Sequence, residues 1–427
     1  MKNSGIEWIG EIPDVWNLIK VGSIFQCRNE KVNDTDYPPL SVSKGGVVPQ
    51  MDSVAKTDAN DNRKLVLQND FVINSRSDRK QSCGYSTLNG SVSLINTVLY
   101  TINDKIILPY YTDYLMKNYG FAEEFYRWGH GIVADLWTTR WQEMKSIVLP
   151  IPSIDMQQKI ADYLDKKCAA VDKLIENQQA QIEKLKEYKQ SVITEAVTKG
   201  LDPSAPLKDS GVECIGEIPT KWIVRPLKYL FSFDKGLPIT KADLTPNGIK
   251  VISYGQIHAK YNKSASIDEQ LYRFVPEKYL KTNSNSLVQK GDFIFADTSE
   301  DIAGSGDFIY IDKNDVIFAG YHSITLKHKL KSENKYLAYL FMSNEWKNQI
   351  QSRVCGIKVY SISRGMIAKT SVLLPPLKEQ QQIADYLDKK CAEIDKLISI
   401  KQQKIETLTE YKKSLIYEYV TGKKQVG

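Results

Sequence analysis

The sequence has few of the residues that build metal sites or disulfide frameworks. Its 427 residues include only four histidines and six cysteines. No two cysteines form a C-x-x-C pair, so we predict neither a metal site nor a disulfide framework. We expect reduced, mostly buried thiols at Cys27, Cys83, Cys168, Cys214, Cys355 and Cys391.

Long apolar runs and familiar catalytic signatures are also missing. No run of about 18 apolar residues occurs, and the N-terminal residues lack the basic-then-apolar pattern of a signal peptide. We therefore expect a cytoplasmic protein. The sequence holds no N-P-P-[FY] or D-P-P-[FY] motif for amino-methylation and no G-x-x-x-x-G-K-[ST] phosphate loop. We predict no catalytic residue in this chain.

Charge is divided unevenly between the two halves. Residues 14–150 hold 15 basic and 15 acidic side chains, whereas residues 220–375 hold 22 basic and 14 acidic ones, a net charge of +8. Binding a polyanion needs a local basic patch rather than a global excess. Charge alone therefore favours nucleic-acid binding by the second half and says little about the first.

What the sequence does contain is an internal repeat. The segment SGIEWIGEIP from Ser4 recurs as SGVECIGEIP from Ser210, with eight of ten positions identical. A second segment, from Ile160, returns from Ile383 with 14 of 16 identities at an offset of 223. Between these anchors the halves diverge, although residues 65–73 and 287–295 retain a weak likeness. A repeated framework with divergent inserts predicts two domains of one fold with different surfaces.

Two long segments without glycine or proline carry the second repeat. Prolines precede both segments, and Gly200 and Gly422 follow them, which predicts helices that begin after the prolines and end at the glycines. Apolar residues recur at spacings of four and three, typical of a coiled-coil seam about 50 Å long. The predicted seam comprises Leu164, Val171, Ile175, Ile182, Leu185, Leu387, Ile394, Ile398, Ile405 and Leu408.

Two arrangements fit these helices: each could lie on a globular core, or the two could bury each other. The near-identity of the seams favours mutual burial, and a pseudo-two-fold repeat would pair the helices antiparallel. In that register Cys168 lies near Leu415 and Cys391 near Val192. We therefore predict no disulfide between Cys168 and Cys391.

The divergent blocks alternate short β-branched and aromatic runs with Gly, Asn and Asp turns, which indicates strands. Helical stretches at 109–126 and 333–352 follow these strands. The predicted fold class is α+β, with two mixed α/β domains joined by two long antiparallel coiled-coil helices as a pseudo-two-fold internal repeat.

The order of these segments resembles the DNA-specificity subunits of type I restriction-modification enzymes over essentially the whole chain. The motif LPPLKEQQQIA at 374–384 is quite specific to that family. Its first copy has Met156 where Glu379 stands, which weakens an essential role for that carboxylate. The resemblance divides the chain into a first target-recognition domain (1–152), a first spacer helix (153–200), a linker with the repeated entry segment (201–219), a second target-recognition domain (220–376), a second spacer helix (377–422) and a tail (423–427).

The resemblance also implies a role without chemistry in this chain. In such subunits each variable domain reads one half of an asymmetric bipartite sequence in double-stranded DNA, and the helices set the gap. The implied protein partners are two methyltransferase subunits and two ATP-driven restriction-translocase subunits. The implied cofactors, S-adenosylmethionine, ATP and Mg²⁺, belong to those partners.

Candidate DNA contacts are Arg, Lys, Asn, Gln and Tyr side chains in loops of the divergent blocks, because these residue types contact base edges and phosphates. In the first block the candidates are Lys44, Asn74, Arg76, Arg79, Lys80, Arg127 and Arg140. In the second they are Tyr254, Gln256, Lys260, Lys263, Arg353, Lys358, Tyr360 and Arg364. We align residues 356–364 with 131–139, at an offset of 225. Each candidate could equally be a solvated surface residue.

Three other functions are open on these residues. The chain could be a nuclease or methyltransferase with an unrecognised site, which predicts activity with metal or S-adenosylmethionine. It could be a coiled-coil adaptor for proteins, which predicts no duplex binding and little salt dependence. It could also be the specificity chain of a related restriction enzyme that cuts on both sides of its site.

Overall fold

The computed structural model describes residues 1–50, 61–103, 105–131, 137–260, 262, 264–329, 334–356 and 358–426; of Ser77 it describes the backbone only. The chain divides into two units. Unit 1 comprises Met1–Ala180 and Lys401–Gly427, and unit 2 comprises Gln181–Ile400. Each unit therefore holds one divergent block and part of both long helices.

Unit 1 is built around a four-stranded antiparallel sheet. Its strand order is Cys83–Tyr85, Phe71–Asn74, Asn96–Thr101, Phe25–Arg28. Helices Pro109–Lys117 and Tyr119–Arg127 pack their apolar residues into the same core as this sheet. The other strands are Lys2–Asn3, Glu11–Ile12, Asn17–Lys20, Lys31–Val32, Leu40–Ser43, Gly46–Pro49, Arg63–Val66, Gly90–Val92 and Val148–Ile151, and the short helices are Val21–Ile24, Ser77–Arg79 and Trp141–Met144.

Unit 2 contains two four-stranded sheets. The first has the order Phe231–Lys235, Ser323–His328, Phe293–Ala296, Phe308–Tyr310, and the second Arg273–Val275, Ile249–Ile252, Ile317–Ala319, Leu287–Val288. The other strands are Leu207–Asp209, Glu217–Pro219, Ile223–Pro226, Thr298–Ser299, Tyr360–Ser361 and Ser371–Leu374. The helices are Leu227–Tyr229, Lys241–Asp243, Tyr254–Ile257, Glu269–Leu271, Tyr279–Thr282, Ser284–Ser286, Asn334–Met342, Asn344–Gln351 and Arg364–Ala368.

The main sheets of the two units share one topology. In unit 1 the strand Phe71–Asn74 lies between its neighbours Cys83–Tyr85 and Asn96–Thr101. In unit 2 the strand Phe293–Ala296 lies in the same way between Phe308–Tyr310 and Ser323–His328. The weak sequence likeness at these strands therefore marks a shared core, because Phe71 and Phe293 are both buried.

The helical stretches predicted at 109–126 and 333–352 are present, each as two consecutive helices, and Glu333 lies outside the described residues. Asn118 has extended φ and ψ of −66° and 158°, and its side chain accepts a hydrogen bond from Phe121 N. Ser343 is extended in the same way and accepts one from Trp346 N. A capping side chain starts a new helix at each position, which spacing of apolar residues alone cannot reveal.

The two long helices are Ile154–Lys199 and Leu377–Val420. Gly200 and Gly422 follow them with φ of +78° and +73°, the left-handed conformation that ends helices. Both glycine stops are as predicted. Among the described residues, no helix is both long and apolar enough to cross a membrane.

The long helices run antiparallel inside each unit. In unit 1 the ring centroids of Tyr163 and Tyr419 are 4.6 Å apart, and Asp172 Oδ2 lies 2.6 Å from Lys412 Nζ. In unit 2 Lys189 Nζ lies 2.8 Å from Asp395 Oδ2. All ten predicted seam residues are buried or half-buried, as mutual packing of the two helices requires.

The six cysteines differ in how deeply they are buried. Cys168 and Cys391 are free, buried thiols in different units, and Cys83 is buried too. Cys27 and Cys214 are half-buried, and Cys355 is exposed, so the expectation of mostly buried thiols holds for only half of them. Cys355 lies just beyond helix Asn344–Gln351, where no core forms around it.

A buried glutamine anchors the start of each long helix. Gln157 Nε2 donates to Pro152 O at 3.0 Å and to Ile106 O at 2.8 Å. Gln380, at the equivalent repeat position, donates from Nε2 to Pro375 O at 2.7 Å. These contacts satisfy backbone carbonyls where proline ends the preceding strand, which gives the repeated glutamines a structural role.

Candidate nucleic-acid interface

In unit 1 the loop after strand Phe71–Asn74 carries four of the predicted contacts. Asn74 Oδ1 accepts a hydrogen bond from Arg76 N at 3.1 Å, and a short 3-10 turn, Ser77–Arg79, follows. Arg76 is exposed, and 62% of the Arg79 side chain is exposed with only Asp78 close by. Both guanidinium groups are therefore available to a ligand.

Lys80 is instead paired within the protein, at the surface. Its Nζ donates to both oxygens of Glu123 at 2.9 Å and lies 4.1 Å from the ring centroid of Tyr126. Gln81, with a left-handed φ of 62°, donates from Nε2 to Lys117 O. These contacts fix the end of the loop against helix Tyr119–Arg127, so Lys80 orders the loop in this structure.

A second segment pairs with this loop. Arg76 forms an isolated antiparallel bridge with Thr138, and Thr139 N donates to Ser75 O at 3.0 Å. Arg140 follows directly and is exposed, with its backbone N bound to Glu143. The structure thus brings Arg76, Arg79 and Arg140 to two paired segments of one unit.

Arg127 and Lys44 have different surroundings. Arg127 is engaged by two carboxylates, at 2.7 Å from Glu124 and 3.0 Å from Glu7, so much of its charge is already neutralised. Lys44 is exposed at the turn between strands Leu40–Ser43 and Gly46–Pro49. Among the described residues, no ion pair involves the Lys44 side chain, which is exposed.

Unit 2 repeats the backbone pairing with other side chains. Strand Thr298–Ser299 pairs with Tyr360–Ser361, and Ile362 N donates to Asp297 O at 2.7 Å. Because Thr139 and Ile362 make the same bond, the two segments correspond at an offset of 223. The alignment at 225 was therefore wrong by two residues, since loop sequences without periodicity do not fix a register.

The remaining predicted contacts of unit 2 surround this pairing. Lys358 and Arg364 are exposed, Tyr360 is half-buried, and Arg364 opens a helix capped by Ser363. Arg353 is exposed just beyond helix Asn344–Gln351. Lys260 is exposed, whereas Lys263 lies outside the described residues.

Tyr254 and Gln256 make contacts within unit 2. Tyr254 Oη donates to Glu300 Oε1 at 3.2 Å, and Gln256 Oε1 accepts from Ser253 N at 3.1 Å as part of a helix cap. The amide nitrogen of Gln256 is the group on this side chain that could donate to a base.

The loop after the equivalent strand has opposite charge in the two units. Unit 1 presents Arg76, Arg79 and Lys80, whereas the corresponding stretch of unit 2 contains Asp297, Glu300, Asp301 and Asp307. The net charge of +8 predicted a basic second domain, but it does not describe this loop. Carboxylates accept hydrogen bonds from amino groups of bases and repel phosphates.

A histidine network, absent from the predicted contacts, supports the acidic loop. His258 Nδ1 lies 3.1 Å from Asp307 Oδ2, and Nε2 lies 3.0 Å from Thr298 O. Lys347 Nζ lies 2.6 Å from Asp307 Oδ1. Sequence patterns could not reveal this cluster, because its hydrogen-bonded pairs are 40 to 49 residues apart in the chain.

The pKa values in this network respond to its contacts. Burial lowers the pKa of His258, but the hydrogen bonds to Asp307 and Thr298 O outweigh it and raise the pKa above the ordinary 6.5. Burial raises the pKa of Asp307, but His258 and Lys347 outweigh it and hold that pKa below 3.8. Within the described residues, no group of three His, Cys, Asp or Glu side chains is arranged to hold a metal ion.

The profile of the family described as the type I restriction modification DNA specificity domain matches residues 8–184 and 219–410. The chain belongs to this family. Each matched segment covers a divergent block and much of the long helix that follows it. The repeat therefore consists of two specificity domains in one chain.

Individual members of the family are distant in sequence. The specificity subunit of the type I restriction enzyme MjaVIII of Methanocaldococcus jannaschii is 27% identical over 285 residues, covering 66% of this chain and 63% of that protein. The EcoKI specificity subunit of Escherichia coli is 21% identical over 208 residues, covering 49% and 44%. This chain thus aligns with less than two thirds of the length of either relative, 63% and 44%.

A solved structure shares the fold of the whole chain. The matching chain, from work on complex assembly and conformational transition of the type I restriction-modification system, has a TM-score of 0.70 at 12% identity and covers 96% of this chain and 98% of its own length. The predicted fold class, two mixed α/β domains with long helices between them, is confirmed. Within these specificity domains, one backbone pairing presents two different sets of side chains.

Proposed function

We propose that this chain is the DNA-recognition subunit of a type I restriction-modification enzyme. Each unit would read one half of an asymmetric bipartite sequence in double-stranded DNA. The observation that carries this proposal is the equivalent pairing of two loops in each unit, Ser75 with Thr139 and Asp297 with Ile362. A fixed backbone with interchangeable side chains, basic in one unit and acidic in the other, suits two readers of different base sequences.

The proposal also assigns the chemistry to other subunits. Membership of a DNA-specificity family supports a non-catalytic chain. Its long helices would dock two methyltransferase subunits, and the complex would add two restriction-translocase subunits. S-adenosylmethionine, ATP and Mg²⁺ would bind in those partners, in the cytoplasm.

Methylation mapping tests this proposal directly. The chain is co-expressed with its methyltransferase subunit, and methyladenine in the host DNA is mapped by single-molecule sequencing. We expect a bipartite motif with a fixed gap that disappears when this chain is deleted.

Three results would contradict the proposal. They are an intact complex with an unmethylated genome, stable capture of an unrelated protein without duplex binding, and methylation or cleavage of DNA by the purified chain alone.

A further inference from the structure

His258 sits where three segments of unit 2 meet. It follows the short helix Tyr254–Ile257, which carries predicted DNA contacts, and its two ring nitrogens face Asp307 and Thr298 O. Thr298 in turn pairs with Ser361 in the segment that carries Lys358, Tyr360 and Arg364. Only 20% of the His258 side chain is exposed.

Both partners of the ring are hydrogen-bond acceptors. A carbonyl oxygen cannot donate, and Asp307 is ionised because it also binds Lys347 Nζ at 2.6 Å. A neutral imidazole has one N–H and one lone pair, so one of its two contacts would set a lone pair against an acceptor. Only the doubly protonated imidazolium satisfies both contacts, at 3.1 Å and 3.0 Å.

The loop that carries Asp301 and Asp307 packs closely against the ring. A Cβ placed on Gly304 would lie 3.3 Å from His258 Cε1, so the loop backbone packs against the ring. The charged groups facing His258 are Asp307 and Asp301 from the loop and Lys347 from helix Asn344–Gln351. The ring centroids of Tyr254 and His258 are 4.9 Å apart, and the Tyr254 hydroxyl donates a hydrogen bond to Glu300.

We propose that the His258 imidazolium is the positioning group that holds the DNA-reading segments of unit 2 together, so that this unit binds its half-site in a pH-dependent way. This inference rests on the proposed function for its DNA part. The charged form is favoured below the pKa of His258, and the contact to Thr298 O or Asp307 is lost as the pH rises through that pKa. Unit 1 makes the equivalent pairing through Ser75, Arg76, Thr138 and Thr139. His130 pairs with Thr138 there through its backbone N and O, and its side chain is exposed. The half-site of unit 1 is therefore the internal reference.

Two variants separate charge from packing. His258→Gln keeps one donor but no charge, and we expect about tenfold weaker binding of the unit 2 half-site at low pH, as for loss of a charge-assisted hydrogen bond. His258→Arg keeps a cation that does not titrate, and we expect binding that no longer changes with pH. The unit 1 half-site, identified as the one weakened by Arg76→Ala, should be unaffected by either variant.

The experiment uses the full chain with its methyltransferase subunits and duplexes in which one half-site is intact and the other scrambled. Affinity is measured by fluorescence anisotropy from about pH 6 to about pH 9, and the wild type should lose about tenfold for one half-site only. In parallel, the pKa of His258 is measured by NMR on the free chain, whose four histidines allow assignment through His258→Gln.

The two readouts fail separately. A His258 pKa at or below the ordinary 6.5, or a pH profile that both variants leave unchanged, would overturn the positioning role. A raised pKa in a chain and complex that bind no duplex at any pH would leave the imidazolium contact intact and refute the proposed function.

Discussion

At the scale of single residues, the loop 74–81 of unit 1 contains two kinds of cation. Arg76 and Arg79 are exposed, whereas Lys80 binds Glu123 and stacks on Tyr126. We expect Arg76→Ala and Arg79→Ala each to weaken DNA binding severalfold and, where the contact is to phosphate, to reduce the salt slope by about one. Lys80→Ala should instead lower the free energy of unfolding by about 1 kcal/mol.

Anisotropy titrations at several salt concentrations measure the DNA affinity of each variant, and thermal melting measures its stability. Together they test whether Arg76 and Arg79 bind DNA while Lys80 stabilises the fold. Asp78→Asn serves as the control, because it removes the carboxylate that pairs with Arg79 at 3.5 Å and keeps a side chain of the same size. A Lys80→Ala variant of normal stability that loses more affinity than Arg76→Ala would contradict the assignment.

A second residue-scale prediction concerns one of the positions at which the two copies of the helix motif differ. Glu379 Oε1 accepts a hydrogen bond at 3.0 Å from Nε1 of Trp222, a fully buried indole. We expect Glu379→Met, which copies Met156 of the first repeat, to lower the free energy of unfolding by about 1–3 kcal/mol, because a buried donor loses its acceptor.

Urea unfolding followed by tryptophan fluorescence measures this effect. Glu379→Gln retains an acceptor oxygen and should recover most of the loss, and Met156→Leu is a volume-matched control in unit 1. Equal stability of the Met and Gln variants would show that the carboxylate has no structural partner of consequence.

At the scale of elements, an ion pair between the same two repeat positions joins the antiparallel helices in each unit. Asp172 with Lys412 in unit 1 and Asp395 with Lys189 in unit 2 are the same two repeat positions. We expect Asp172→Lys to lower the free energy of unfolding by about 1 kcal/mol through like-charge repulsion, and Asp172→Lys with Lys412→Asp to restore it.

A double-mutant cycle in denaturant measures the coupling between the two side chains. The control is Glu183→Lys, which reverses an exposed charge paired only within its own helix, with Lys186. If the double variant is no more stable than either single variant, the antiparallel contact in unit 1 does not form in solution.

The long helices could be predicted from the sequence, whereas the breaks between the short helices could not, because a single capping side chain causes each break. The long helices, their heptads and their glycine stops depend on neighbours within one or two turns, so the sequence alone predicted them. The breaks at Asn118 and Ser343 depend on single side chains that bond to backbone three residues onward, and a helical apolar pattern continues across both.

At the scale of the whole molecule, the proposed function predicts that the length of the long helices sets the gap between the two DNA half-sites. Seven residues added to each long helix extend it by about 10 Å, which corresponds to about three base pairs of DNA. We expect such a variant to methylate the same two half-sites with a gap about three base pairs longer.

Single-molecule sequencing of methyladenine in cells that express the lengthened chain checks the gap. An insertion in only one helix is the matched control, because it breaks the register of the pair and should abolish the motif. An unchanged gap in the doubly lengthened chain would show that the helices do not set the spacing.

The duplication, the long helices with their seam and the α/β character of both blocks could all be predicted from the amino-acid sequence. The spacing of apolar residues and the near-identical segments predict these features, because each depends on residues that are close together in the sequence. Several of the cations that it nominated, such as Arg76 and Arg364, are exposed, but the sequence did not separate them from ion-paired ones such as Lys80.

Which charged groups meet depends on the fold of the chain and could not be predicted from the sequence. Glu123 captures Lys80 from 43 residues away, and Asp307 binds His258 from 49 residues away. The offset of 223 between the segments of Thr139 and Ile362 likewise became visible only through their bonds to Ser75 and Asp297. Electrostatic contacts across such separations depend on how the chain folds back on itself, and nothing periodic in the sequence encodes them.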